Sequence, residues 1–135
     1  MLGIVLISHG EMANGMLNSA EMFFGETGLQ QVATVSLFPE DSPEAFDIKL
    51  ADAIKEVDDG NGVVILADLL GGTPCNRCVY VYGENVQVIT GMNLPIFMEL
   101  LGLRMGGDVD INALISVGHN GIVSLNELLG GMTDD

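Results

Sequence analysis

The chain has 135 residues, 48% of them hydrophobic, with 19 acidic against four basic side chains and a formal net charge of −15. That length supports one domain, 1–135, with its own core and no room for a second; the acidity speaks against nucleic acid or anionic membrane as partners and for a basic protein. No apolar run reaches the ~20 uncharged residues that span a bilayer and no basic flank opens a signal peptide, so a cytoplasmic protein is expected, and two cysteines give no disulfide framework.

Leu2 to Ser8 is a short apolar run that reads as a buried strand, and it delivers Ser8-His9-Gly10 at its end. Ala13, Leu17, Ala20 and Phe24 then recur on one helical face, and Val32 to Leu37 is the second strand. Ser42-Pro43-Glu44 sets a capping hydroxyl, a first-turn proline and an acid before a helix whose stripe is Phe46, Leu50, Ala53 and Val57. The loop Asp58-Asp59-Gly60-Asn61-Gly62 leads to the third strand, Gly62 to Ala67, which ends at Asp68 and runs on into Leu69-Leu70-Gly71-Gly72-Thr73-Pro74. Thr73-Pro74 repeats the order of cap and proline. Asn85 to Thr90 is the fourth strand, Asn93-Leu94-Pro95 opens a helix through Leu101, and Asp110 to Val117 forms another that Gly118 closes. His119 follows that end, where the helix dipole favours a cation, and is read as structural.

Strand and helix alternate to about residue 104, which predicts an α/β fold: a doubly wound open sheet of four parallel strands, order 2-1-3-4, with helices on both faces. Strands one and three are then neighbours, and the connections leaving them in opposite directions open a crevice at their carboxyl ends. His9 and Asp68 both fall there. An aspartate accepting from one ring nitrogen fixes the tautomer, frees the other nitrogen to attack, and stabilises the positive charge that develops. Gly71-Gly72-Thr73 lets main chain approach a ligand, and the helix start after it offers free N–H groups to an anion, phosphate above all. The expected donors are Gly72, Thr73, Cys75 and Asn76, with Ser8 and Thr73 as hydroxyl donors; whether Thr73 caps its helix or meets phosphate is left open.

These segments resemble the mannose-family enzyme IIA domain of the bacterial sugar phosphotransferase system. The likeness covers the whole chain: Ser8-His9-Gly10, Ala20-Glu21-Met22 with Gly25-Glu26, Asp68 with Gly71-Gly72-Thr73-Pro74-Cys75-Asn76, and Gly91-Met92-Asn93-Leu94-Pro95. It implies that His9 is phosphorylated at Nε2 by the phosphocarrier HPr and passes the group to a IIB component, that Asp68 holds Nδ1, and that membrane sugar permease subunits are served indirectly. It also implies a homodimer that exchanges a C-terminal antiparallel strand, for which Ile122-Val123-Ser124-Leu125 is the matching segment. With the chain stopping at Gly130-Gly131-Met132-Thr133-Asp134-Asp135, IIB is expected as a separate chain. Cys75 stands where a larger apolar residue is common in the family and is expected to pack near the crevice.

Other readings remain. The dihydroxyacetone-kinase phosphotransfer subunit is similar but matches the loop after Asp68 less well, and a module regulated by its phosphorylation state is compatible with a carrier. Cys75-Asn76-Arg77-Cys78 at a helix start fits a thiol–disulfide redox protein. No cofactor is expected, since no Walker or G-x-G-x-x-G loop occurs, and no metal, since one C-x-x-C with two distant histidines falls short of a zinc set. Arg77 and Arg104 are expected on the surface, solvated or ion-paired.

Overall fold

The computed structural model describes residues 1–133, the side chains of residues 132 and 133 excepted, so Asp134 and Asp135 of the expected tail lie outside it. Its elements run β1 (Gly3–His9), α1 (Met12–Phe24), β2 (Val32–Leu37), α2 (Pro43–Val57), β3 (Val63–Ala67), α3 (Thr73–Arg77), β4 (Val86–Ile89), α4 (Leu94–Leu103), α5 (Ile111–Asn120) and α6 (Leu125–Thr133). The four strands form one sheet in the order β2-β1-β3-β4, every neighbouring pair parallel. This is the expected order, and β1 and β3 lie in register from Gly3↔Val63 to Ile7↔Ala67.

Because successive side chains of a strand face opposite ways, the apolar runs supply two cores at once. Ile4, Leu6, Val64, Leu66 and Ile89 face α1, α4 and α5 through Ala13, Ala20, Phe97, Leu100 and Leu114. Val5, Ile7, Val35, Ile65 and Ala67 face α2, whose stripe Phe46, Leu50, Ala53 and Val57 is wholly buried. So α1 leaves β1 toward one face and α3 leaves β3 toward the other, which opens the crevice between them.

The helix starts follow the cap chemistry at three places, one of them Asp110, whose Oδ1 accepts the Asn112 and Ala113 N–H groups at the start of α5. Ser42 Oγ accepts the Ala45 N–H before Pro43 opens α2, and Asn93 Oδ1 accepts the Ile96 N–H before α4. Elsewhere the expectations are corrected. Gly118 does not end α5; it is buried inside it, where an added Cβ would lie 3.2 Å from Ile96 Cδ1, so the glycine lets α5 approach α4 and the helix runs on to Asn120. His119 therefore sits in the last turn itself, exposed.

The C-terminal segment differs too. Residues 122–124 pair with no strand among the described residues, and Leu125 opens α6. The reason is local: Ser124 Oγ accepts the Glu127 N–H at 3.2 Å and Ser124 O the Leu128 N–H at 3.1 Å, which nucleates a helix. Arg104, expected at the surface, is 3% exposed. Its guanidinium donates to the carbonyls of Leu2, Gly28, Gln30 and Gln31, tying the ends that precede β1 and β2 to the end of α4.

Candidate functional site

His9 is the last residue of β1, and Gly10 after it turns the chain away at φ +56, with its N–H donated to Leu37 O at 2.8 Å. Left-handed backbone of this kind favours glycine. Ser8 is fully buried, and its hydroxyl is spent locally: Oγ accepts the Ala13 N–H at 2.8 Å and donates to Gly10 O at 3.3 Å. The expectation that Ser8 meets phosphate is thus corrected. It satisfies a first-turn N–H of α1, an orphan by helix geometry, and so fixes the turn that presents His9.

Asp68 follows β3 directly, its N–H bound to Ile7 O at 3.1 Å, so the β1–β3 pairing continues to the crevice. Asp68 Oδ2 lies 2.7 Å from His9 Nδ1 and 2.9 Å from His9 N, while Oδ1 accepts the Leu69 N–H at 2.9 Å. The carboxylate is 6% exposed and the imidazole 46%. Burial pushes the Asp68 carboxyl up, but the His9 N–H, the His9 ring and the Leu69 N–H outweigh it and hold the group below its ordinary value. An ionised Asp68 can only accept, so it assigns the proton to Nδ1 and leaves the Nε2 lone pair open. Sequence reasoning had the pair but not the second bond, in which the same oxygen also holds the main chain of His9.

The loop below the ring is built from two unlike glycines. Gly71 has φ +94, a conformation that L side chains rarely adopt; Gly72 is extended at φ −86, ψ 166 and is the N-cap residue of α3. Thr73 is therefore the first helical residue, and no side chain caps α3, which corrects the reading of Thr73-Pro74 as cap and proline. Asn76 is corrected as a donor as well, because its N–H is bound to Gly72 O at 2.9 Å; its side-chain amide donates to Gly71 O at 3.2 Å. Both bonds fasten the loop. The Gly72 backbone in turn lies against the His9 ring: a Cβ there would overlap Cε1 and stand 2.9 Å from Nε2.

The remaining candidates lie elsewhere. Cys75 is half-buried and packs against the core beside α2, and Cys78 is buried. Burial pushes the Cys78 thiol up to about 12. Arg77 is ion-paired at the surface, its guanidinium donating to both Asp47 oxygens and standing 4.9 Å from the Tyr80 ring centre. Among the described residues no group of three or more His, Cys, Asp and Glu could hold a metal ion, and no helix is long and apolar enough to cross a membrane. A cleft of about 570 Å³ opens at the amino ends of the strands, lined by Leu2, Asn85, Arg104 and Val109 among others, without His9 or Asp68.

Known proteins resemble this chain over most of its length. The chain is 29% identical over 106 residues to the fructose-specific EIIA component of Bacillus subtilis, covering 77% of this chain and 71% of that protein. It is 30% identical over 130 residues to the mannose-specific EIIAB component of Escherichia coli, covering 92% of this chain but only 39% of that longer protein. Among solved structures, the PTS IIA protein associated with the fucose utilization operon of Streptococcus pneumoniae superposes with a TM-score of 0.85 at 30% identity, covering 94% of this chain and 95% of that one. A model of the EIIA-man family, described as the PTS system fructose IIA component, matches residues 3–115, and the chain belongs to that family of phosphotransferase-system IIA components.

Proposed function

We propose that this IIA component is a phosphohistidine carrier, acting in the cytoplasm, in which His9 Nε2 takes a phosphoryl group from phosphorylated HPr and gives it to a IIB component. The observation that carries the reading is the 2.7 Å contact between Asp68 Oδ2 and His9 Nδ1, with Nε2 left open beside the Gly71-Gly72 loop. In the forward step the Nε2 lone pair forms a bond to phosphorus as the bond from phosphorus to the donor's histidine nitrogen breaks, and the donor nitrogen leaves with that electron pair. The Nδ1 proton stays on the ring, which becomes positive while bonded to the carboxylate. Attack and departure need to be in line and the phosphoryl oxygens need fixed donors, which the N–H groups of Gly72, Thr73 and Cys75 and the uncapped Thr73 hydroxyl are suited to supply.

Onward transfer to IIB is the same step reversed with a new acceptor. The acidic surface suits a basic face on either partner. A homodimer is part of the proposal: Ile122 and Val123 are exposed, and so are Leu125, Leu128 and Leu129 of α6, a run of apolar surface that a second copy would cover. The relatives differ in sugar, fructose for one and mannose for another, so the sugar is assigned to the membrane subunits rather than to this chain.

The test is label transfer from phosphorylated HPr into the wild-type chain and into His9→Ala, then into IIB. The expected result is acid-labile label on His9 that chases into IIB. Label on any other residue, or label that will not leave, refutes the carrier.

A further inference from the structure

The two glycines of the loop have different reasons to be glycine, and the second reason has a consequence for the chemistry. Gly71 is required by its backbone, whereas Gly72 at φ −86, ψ 166 has a conformation open to any residue. What excludes a side chain at Gly72 is the His9 ring: a Cβ would overlap Cε1, stand 2.9 Å from Nε2 and 3.6 Å from Nδ1.

We infer that Gly72 is a positioning residue whose bare Cα is the seat of the His9 imidazole, clamping its Cε1–Nε2 edge while Asp68 holds Nδ1. The clamp is two-sided. Asp68 is buried, anchored through its own N–H to Ile7 O at 3.1 Å and held by the Leu69 N–H at 2.9 Å. Gly72 is anchored by the bond from the Asn76 N–H to its carbonyl at 2.9 Å, and by the buried Pro74 two residues on. Between these fixed walls the ring is the part able to yield, since the imidazole is half exposed. A methyl group at position 72 therefore drives the ring outward, and the 2.7 Å bond to Asp68 is what gives.

In the carrier reading, on which the functional half of this inference rests, the seat sets the direction of the Nε2 lone pair. An error of about 1 Å in the placement of a reacting atom can cost on the order of a hundredfold in rate. Gly72→Ala should thus fold, and its phosphoryl uptake from phosphorylated HPr should fall about tenfold or more. The readout that a merely structural glycine would not move is the 15N signature of the unphosphorylated His9 ring: wild type should show one tautomer with the proton on Nδ1, and Gly72→Ala a mixture. Gly102→Ala, a glycine of α4 with open space around its Cα, is the control and should leave both unchanged.

A double-mutant cycle needs no activity at all. Gly72→Ala should lower thermal stability in the wild-type background and cost distinctly less in His9→Ala, where the ring is gone and only the weaker N-cap preference of alanine remains; if Gly72→Ala alone fails to fold, the double variant should still fold. Wild-type transfer with an unchanged ring signature overturns the inference, as does an equal stability loss in both backgrounds. If wild type itself takes up no phosphoryl group, the carrier reading fails, and the ring signature and the cycle still judge the seat.

Discussion

Replacing Asp68 by Asn probes the proposed chemistry at its electrostatic centre. The proposed attack needs a neutral imidazole, from which the carboxylate gains little by charge; as Nε2 bonds to phosphorus, the ring would turn positive 2.7 Å from Asp68 Oδ2. Two full charges at that distance attract by about 1.5 kcal/mol in a water-like medium and about 6 kcal/mol at an effective dielectric of 20. His9 is 46% exposed, and only part of the charge has developed at the transition state, so the lower end applies, about 1.5–3 kcal/mol. Because the gain belongs to the transition state and not to the resting pair, it should appear as a slower phosphoryl-transfer step, roughly ten- to a hundredfold. Rapid-quench transfer from phosphorylated HPr measures it, with circular dichroism to establish folding. The Asn side chain also has one acceptor oxygen where Asp68 receives three N–H groups, so a loss of stability of about 1–3 kcal/mol should accompany it. A folded Asp68→Asn protein that transfers within twofold of wild type would refute the argument.

Three further outcomes follow from the burial and bonding of other side chains. A thiol reagent at pH 8 should modify Cys75 and spare Cys78, whose thiol is buried and pushed up to about 12, so mass spectrometry should count one modified cysteine in native protein and two in denaturant. Arg104→Ala should unfold at lower denaturant, by about 3–5 kcal/mol, because four carbonyls lose their buried donor; the folded fraction should keep its transfer rate, since Arg104 ties the amino ends of the strands and not the His9 end. Asp41, Asp47, Asp59 and Asp68 all have carboxyls held below their ordinary value of 3.8, so the fold binds fewer protons than the unfolded chain. Their stabilisation is present above that value and is lost as pH falls through the lowered ones; chemical denaturation should be level near neutrality and weaken below about pH 4, and a stability that rises on acidification would contradict this.

Much of the fold was legible because its signals are local and repeated. Apolar runs fixed four strands to within a residue or so, and one periodic stripe fixed the buried face of α2. The pairing of His9 with Asp68 needed only the strand order, because each residue ends or directly follows one of two adjacent strands. What could not be read depends on contacts between distant segments. Arg104 looks like a surface cation until four carbonyls from residues 2 and 28–31 converge on it, and Gly118 looks like a helix end until Ile96 packs on it. Ser8 looked available because nothing in a strand end announces that the Ala13 N–H will take its hydroxyl. The start of α6 did carry a local signal, Ser124 three residues before Glu127, but the resemblance gave this segment to an exchanged strand instead.

The placement of the four basic side chains bears on why such a site would suit a carrier. Lys49 is bound to Asp41, Arg77 to Asp47, Arg104 is buried among carbonyls, and Lys55 lies in the last turn of α2, so none contacts His9. The phosphoryl oxygens would then meet main-chain dipoles and a hydroxyl rather than a guanidinium or ammonium. A fixed cation that deepened the phosphorylated ground state more than the transition state would slow the onward step, since only interactions that are stronger in the transition state raise the rate. Neutral donors stabilise the group without holding it, and the ring's developing charge is met from the other side by Asp68. On that argument the scarcity of basic residues is not only a matter of solubility. It leaves the partners to supply positive charge at each encounter and to take it away when they leave.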